Sequence, residues 1–194
     1  MKSITTLVIV GIVGILFFVG CNGYNRLVKQ EESVKRAWNN VETEYQKRND
    51  LVGNLVNTVK GAADFEQSTL TAVVEARANA TQMNINADEL TPENIARFQQ
   101  AQNQLSGALS RLLATVEAYP TLRATEGFMQ LQRQLEGIEN DIKNSRRAFN
   151  AEIQTYNTRV RTFPGNLISG LFGFKQKEGF AADEGAERAP EVKF

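Results

Sequence analysis

The sequence predicts an all-α protein: an antiparallel up-and-down four-helix bundle with long first and fourth helices, preceded by an N-terminal transmembrane helix. Three observations carry this expectation. Apolar residues recur at spacings of three and four along most of the chain, the period of a helix with one buried face. Only four prolines occur in 194 residues, and Pro92, Pro120 and Pro164 stand where helices would start or stop. The N-terminal segment is apolar on every side, as a helix surrounded by lipid must be.

That segment follows Met1, Lys2 and Ser3 and covers residues 4–19 (ITTLVIVGIVGILFFV), interrupted only by Thr5, Thr6, Gly11 and Gly14. With Gly20 and Cys21 it reaches 18 residues, near the lower limit for crossing a hydrocarbon core of about 30 Å. Three readings stand. It is a retained single-pass anchor; or a lipoprotein signal, with Phe18-Val19-Gly20-Cys21 as the processing site and Cys21 taking the acyl chains; or a cleaved signal peptide, for which no small-x-small site follows the run. Phe18 stands where a lipoprotein signal usually has leucine. Arg26, Lys29, Lys35 and Arg36 against Lys2 favour a cytoplasmic body. The short Met-Lys start and the Cys21 context favour the opposite side, and the two indications balance.

From 24 to 62 the apolar pattern is heptad. Tyr24, Glu31, Trp38, Tyr45, Val52 and Val59 form one set, and Leu27, Val34, Val41, Arg48, Leu55 and Ala62 the other. A helix of this length runs about 58 Å at 1.5 Å per residue. It begins directly after the apolar segment, so the two are expected to form one rod. Glu31 and Arg48 break the stripe. They are too far apart to pair within the helix, so each must meet an opposite charge or water at a bundle end, or make a buried polar contact that fixes helix register or oligomer state.

Gly61-Ala62-Ala63-Asp64 is the expected bend, with Asp64 capping a second helix to about Gln82 that turns Leu70, Val73, Val74 and Ala80 inward. Residues 83–90 (MNINADEL) read as a loop. Thr91-Pro92-Glu93 is a helix start, with a capping hydroxyl and proline at the first helical position. Ile95, Phe98, Gln102, Leu105, Leu109, Leu112 and Val116 follow, and the helix should stop before Pro120. Thr125 is the expected cap of the fourth helix. Its stripe is Phe128, Leu131, Leu135, Ile138, Ile142, Phe149, Ile153, Tyr156, Val160 and Phe163, slipping at Ser145 and Arg146 and ending at Pro164.

The domain plan is therefore an anchor or lipoprotein signal at 1–21, a bundle at 22–164, an apolar glycine-rich extension at 165–180 and a disordered tail at 181–194. Residues 166–174 (NLISGLFGF) either fold back over the bundle end or touch a membrane or partner. The tail is polar and charged, and its last five residues, PEVKF, read as a docking peptide or as free chain.

Composition narrows the function. Lysine and arginine equal aspartate and glutamate, 22 against 22, which gives no global field pointing to nucleic acid or to an anionic membrane surface. The chain has no histidine and one cysteine, so the commonest general base and the usual zinc ligand sets are missing. Glu136 and Glu139 share a helical face, but di-metal carboxylate bundles also supply Glu-x-x-His pairs. No catalytic, metal or cofactor residue is assigned, and no small-molecule substrate is expected. The expected partners are the membrane and either another protein or a second copy of the chain.

Tyr24-Asn25-Arg26-Leu27-Val28, Trp38-Asn39-Asn40-Val41-Glu42, Tyr45-Gln46-Lys47-Arg48-Asn49-Asp50-Leu51-Val52 and Asn54-Leu55-Val56-Asn57-Thr58-Val59-Lys60-Gly61 resemble the LemA family of bacterial membrane proteins. The likeness continues through Leu131-Gln132-Arg133-Gln134-Leu135-Glu136-Gly137-Ile138-Glu139-Asn140, Arg146-Arg147-Ala148-Phe149-Asn150, Tyr156-Asn157 and Phe163-Pro164, and spans roughly 22–180 in order. Two positions depart from it: Gly53 stands where the family usually has proline, and Phe65 where a histidine often precedes the glutamate. The resemblance implies one N-terminal anchor, a helical bundle and no defined enzyme activity, with membrane organisation as its lead.

Two functional readings follow. One is a non-enzymatic membrane-tethered scaffold, in which Asn54 and Asn57 would bond Asn150 and Asn157 between the first and fourth helices. The other is a sensor or adaptor that signals through the continuous anchor-to-bundle helix.

Overall fold

The computed structural model describes residues 2–61 and 65–181, and all regular structure among them is helical. The bend residues Ala62 and Ala63, the Asp64 cap and the tail from 182 onward lie outside the described residues. Six helices stand where an anchor and four were expected. They are α1 (Lys2–Lys60), α2 (Gln67–Gln82), α3 (Pro92–Val116), α4 (Pro120–Arg123), α5 (Glu126–Arg161) and α6 (Gly165–Phe172). The apolar segment and the first bundle helix are one element, α1. The two additions are short: α4 fills the connection between two long helices, and α6 lies in the expected extension.

The helix limits follow local chemistry. The Thr91 side chain accepts the Asn94 N–H at 3.2 Å with Pro92 at the first helical position, and Thr125 accepts the Phe128 N–H at 3.4 Å. α3 stops at Val116, short of Pro120, and α5 stops at Arg161, short of Pro164.

α5 runs antiparallel to α1. Gln30 donates to Glu152 at 2.6 Å, Trp38 packs on Phe149, and Arg48 meets Glu139, so the numbering falls along α5 as it rises along α1. α2 also opposes α1: Arg77 Nε donates to the Asn49 carbonyl at 2.7 Å, and farther down the Trp38 indole N–H donates to the Ile85 carbonyl at 2.9 Å. α3 keeps the direction of α1, with Tyr45 against Phe98 and Arg48 against Gln102 and Ser106.

The stripe on α1 is buried at Leu27, Val34, Trp38, Val41, Tyr45, Arg48, Val52, Leu55 and Val59. Two expected inward residues point out. Val74 is half exposed because Leu70, Val73 and Ala80 already fill the buried face of α2, and Val74 lies about 100° round the helix from Val73. Phe163 follows the end of α5 and is 79% exposed.

The apolar interior divides in two. The distal core joins Val52, Leu55 and Val59 to Val73, Leu105, Leu112 and Phe128. The proximal core, nearer the apolar segment, joins Leu27, Trp38 and Tyr45 to Phe98, Phe149, Ile153 and Tyr156. Between them lies a polar layer centred on Arg48.

Candidate functional site

The proximal end carries three features together: the apolar segment of α1, helix α6, and a C-terminal strap formed by residues 174–181. In the apolar segment Ile4, Leu7, Ile9, Val10, Ile12, Val13, Ile15, Phe17, Phe18 and Val19 are all exposed. Successive residues such as Ile9, Val10, Ile12 and Val13 point to different sides, so the surface is apolar all round, and α1 is long and apolar enough there to cross a membrane. Cys21 is a free, exposed thiol at the end of this segment, inside the unbroken helix.

α6 packs back against α1 and α5. Ile168 is buried against Gly23, where any Cβ would collide with it, and the Ser169 hydroxyl donates to the Val160 carbonyl at 3.0 Å. Tyr24 lies against Phe172 and Phe174, with ring centroids at 4.8 and 5.6 Å. Gly173 then takes a left-handed conformation, φ 79°, which ends α6 and reverses the chain.

The strap runs back along α5. Asn157 Oδ1 accepts the Lys177 N–H at 2.9 Å and its Nδ2 donates to the Lys177 carbonyl at 2.8 Å. Asn150 does the same for Phe180, at 2.9 and 3.1 Å. Two carboxamides thus complete the backbone of a segment with no strand to pair with. The spacing fits: seven residues of α5 rise about 10.5 Å, and three residues of extended chain cover about 10 Å. The Phe180 ring fills the proximal core against Trp38, Phe149 and Phe98, under the Arg146 guanidinium. Lys177 pairs with Glu31 at 3.0 Å and sits over the Tyr156 ring. Burial, with the nearby Glu31 carboxylate adding to it, pushes the Tyr156 phenol up to about 12.

Apart from the proximal end, the polar layer between the two cores gathers the other conspicuous side chains. Arg48 is 2% exposed. Its Nη1 donates to Ser106 Oγ at 2.9 Å and to Glu139 Oε1 at 3.1 Å, and its Nη2 donates to the Gln102 side chain. Its guanidinium also lies over the Tyr45 ring. One α1 side chain thereby fixes the register of α3 and α5 at once. Arg48 therefore meets its opposite charge in the middle of the protein, not at a bundle end. This also divides the Glu136 and Glu139 pair: Glu139 turns to Arg48, whereas Glu136 is exposed and accepts from Gln132. Among the described residues no group of three or more acidic or cysteine side chains is placed to hold a metal ion.

The four asparagines are not brought together. Asn54 and Asn57 are exposed and line a shallow cleft with Asp50, Gly53 and Arg77, on the side of α1 facing α2. Asn150 and Asn157 bind the strap. The α1-to-α5 asparagine contact is thus replaced by a different one, because the chain returns over α5 and presents unpaired peptide groups there. Glu31 and Asn157 meet on the same strap residue, Lys177. Phe174 belongs to the segment expected to fold back, whereas Lys177, Gly179 and Phe180 have no assignment from the sequence; the available signal was a lone large aromatic, Phe180, in an otherwise polar stretch. A Cβ on Gly179 would collide with Asn150 Oδ1, so glycine is needed there for the close approach.

The two departures noted in the sequence have clear settings. Gly53 lies under the Arg77 guanidinium, where a Cβ would sit 3.2 Å from Nη2. Phe65 is buried and packs on Tyr119 at the distal end.

The family model described as LemA family matches residues 37–194, which includes the polar layer, α6 and the strap. Magnetosome protein MamQ 2 of Paramagnetospirillum magneticum is 25% identical over 197 residues, covering 90% of this chain and 71% of its own length. Magnetosome protein MamQ of Magnetospirillum gryphiswaldense is 27% identical over 178 residues, covering 81% and 64%. Protein LemA of Metamycoplasma hominis is 22% identical over 172 residues, covering 89% and 75%.

Proposed function

The chain belongs to the LemA family, and from that premise we propose that it is a non-enzymatic, single-pass membrane-tethered scaffold acting in membrane or envelope organisation. In this reading α1, α2, α3 and α5 are the four members of an up-and-down bundle, α4 is a linking turn, and α1 is also the anchor. The observation that carries it is the change of surface along one unbroken helix. The first third of α1 is apolar on all sides and exposed, and the rest buries a single stripe. Similarity to proteins named for the magnetosome supports a role at a membrane.

A scaffold must touch something besides lipid. Crosslinking in intact membranes should therefore trap the chain with a second copy or another protein. Recovery of monomer alone, across crosslinkers of several lengths, would count against the scaffold.

The same unbroken helix favours a second reading, a sensor or adaptor that passes rotation or displacement from the anchor to the bundle. One residue inserted beside Asn22 turns the bundle about 100° relative to the anchor. It should abolish a helix-coupled signal and leave a simple tether working.

A further inference from the structure

We propose that α6 and the turn before it make a second membrane contact, an interfacial helix that lays Phe163, Leu167, Leu171 and Phe172 on an anionic lipid surface beside the exit of α1. The inference rests on α1 being the anchor. Phe163 and Leu171 are each 79% exposed, Leu167 63% and Phe172 56%. Outside the apolar segment, the other exposed large apolar side chains, such as Val74, Met83 and Met129, lie on separate elements. α6 is two-faced: Ile168 and Ser169 seat it on α1 and α5, and Leu167 and Leu171, one turn apart, point away.

Height identifies the occupant. The apolar run of α1 ends at Val19, and α6 touches α1 at Gly23 and Tyr24. Four to five residues of helix rise about 6–7.5 Å, and the headgroup layer beside a hydrocarbon core of about 30 Å is about 5–7.5 Å thick on each side. α6 is therefore held at the level of the membrane surface.

Charge points the same way. The whole chain is balanced, yet residues 20–30 and 153–177, which form this end, contain Arg26, Lys29, Arg159, Arg161, Lys175 and Lys177, with Glu31, Glu152 and Glu178 at their borders and Glu31 paired to Lys177. Arg26, Lys29, Arg159, Arg161 and Lys175 are exposed. A cationic rim around apolar side chains fits anionic phospholipid. A second copy of the same face would bring like charge against it.

The test uses the full chain with Cys21→Ser and one new cysteine carrying a nitrobenzoxadiazole dye, at Leu171→Cys, Ile12→Cys or Ser110→Cys. Vesicles are made of phosphatidylcholine with phosphatidylglycerol as the anionic lipid. Dyes at 12 and 171 should be quenched by brominated lipid, and the dye at 171 should be severalfold less sensitive to aqueous iodide than the dye at 110. Vesicles of phosphatidylcholine alone should weaken lipid quenching at 171 and leave it unchanged at 12. Equal quenching at 171 in both lipids would overturn the anionic preference. Iodide access at 171 with lipid quenching retained at 12 overturns the inference alone; iodide access at 12 as well overturns the anchor. A dye at 171 shielded from both quenchers means that protein covers the face, which also overturns the inference.

Discussion

Asn157 holds Lys177 by both of its backbone groups, accepting the N–H at 2.9 Å and donating to the carbonyl at 2.8 Å. Asn150 repeats the arrangement on Phe180 two helical turns away. The strap is thus attached through side chains of α5, and its anchoring ring lies in the proximal core beside Trp38.

Asn157→Ala and Asn150→Ala each remove two hydrogen bonds and leave strap peptide groups unpaired. Each should cost about 1–3 kcal/mol and raise amide hydrogen exchange at 177–181 ahead of the rest of the protein. Hydrogen exchange read by mass spectrometry checks this; unchanged protection of the strap in both variants would contradict it.

Gly179→Ala should release the same segment by a different route, because the new methyl group meets Asn150 Oδ1. A loss of about 1–3 kcal/mol is expected from such overpacking. Since both changes act on one contact, Asn150→Ala combined with Gly179→Ala should cost clearly less than the sum of the two, as a double-mutant cycle in urea would reveal.

Arg48→Ala leaves Gln102 and Glu139 facing a void in the polar layer and should destabilise by about 2–4 kcal/mol. Glu139 is 35% exposed, so Glu139→Gln should cost less, about 1 kcal/mol. Arg48→Lys keeps the charge but loses the fork that reaches Ser106, Glu139 and Gln102 together, and should fall between the two. Urea unfolding ranks all three; a nearly neutral Arg48→Lys beside equal losses in Arg48→Ala and Glu139→Gln would show that the charge pair, and not the three-way fork, dominates.

The elements that could be read in advance are those set by neighbours in sequence. Thr91 and Thr125 cap α3 and α5 because a hydroxyl three residues before an unpaired N–H acts locally. The stripe from Leu27 to Val59 follows from helical period alone. Arg48 and Glu31 were visible as charges on an apolar stripe. Their partners were not, since Glu139 and Lys177 lie 91 and 146 residues away and only the packing of α5 and the strap brings them near. The asparagines fail for a related reason. A carboxamide bonds whichever peptide group reaches it, and nothing near Asn150 announces a segment returning from residue 180. The spacing of Phe163 continues the α5 stripe, so period alone turns it inward, but the helix ends at Arg161, ahead of Pro164.

Tyr156 makes alkaline stability a reporter of the proximal core. Its phenol is raised from 10.0 to about 12, so the neutral form is favoured in the folded state. That contribution is complete below pH 10 and is lost as the pH rises from 10 to 12. Over that window the urea midpoint of the wild-type protein should fall more steeply than that of Tyr156→Phe, by a difference of about one proton. Parallel curves would mean that the phenol is not held by the core.

One helix serving as both membrane anchor and first bundle helix should leave a signature in label accessibility. Nitroxide labels placed singly at successive positions from 9 to 41 in the full chain, in bilayers, report it through their oxygen and water accessibility. Lipid exposure is expected on every side through Val19. A helical oscillation of about 3.6 residues should then begin without loss of phase, with its protected positions at Leu27, Val34, Trp38 and Val41. Water access on every side before Val19, or a break in phase between Gly20 and Leu27, would contradict it.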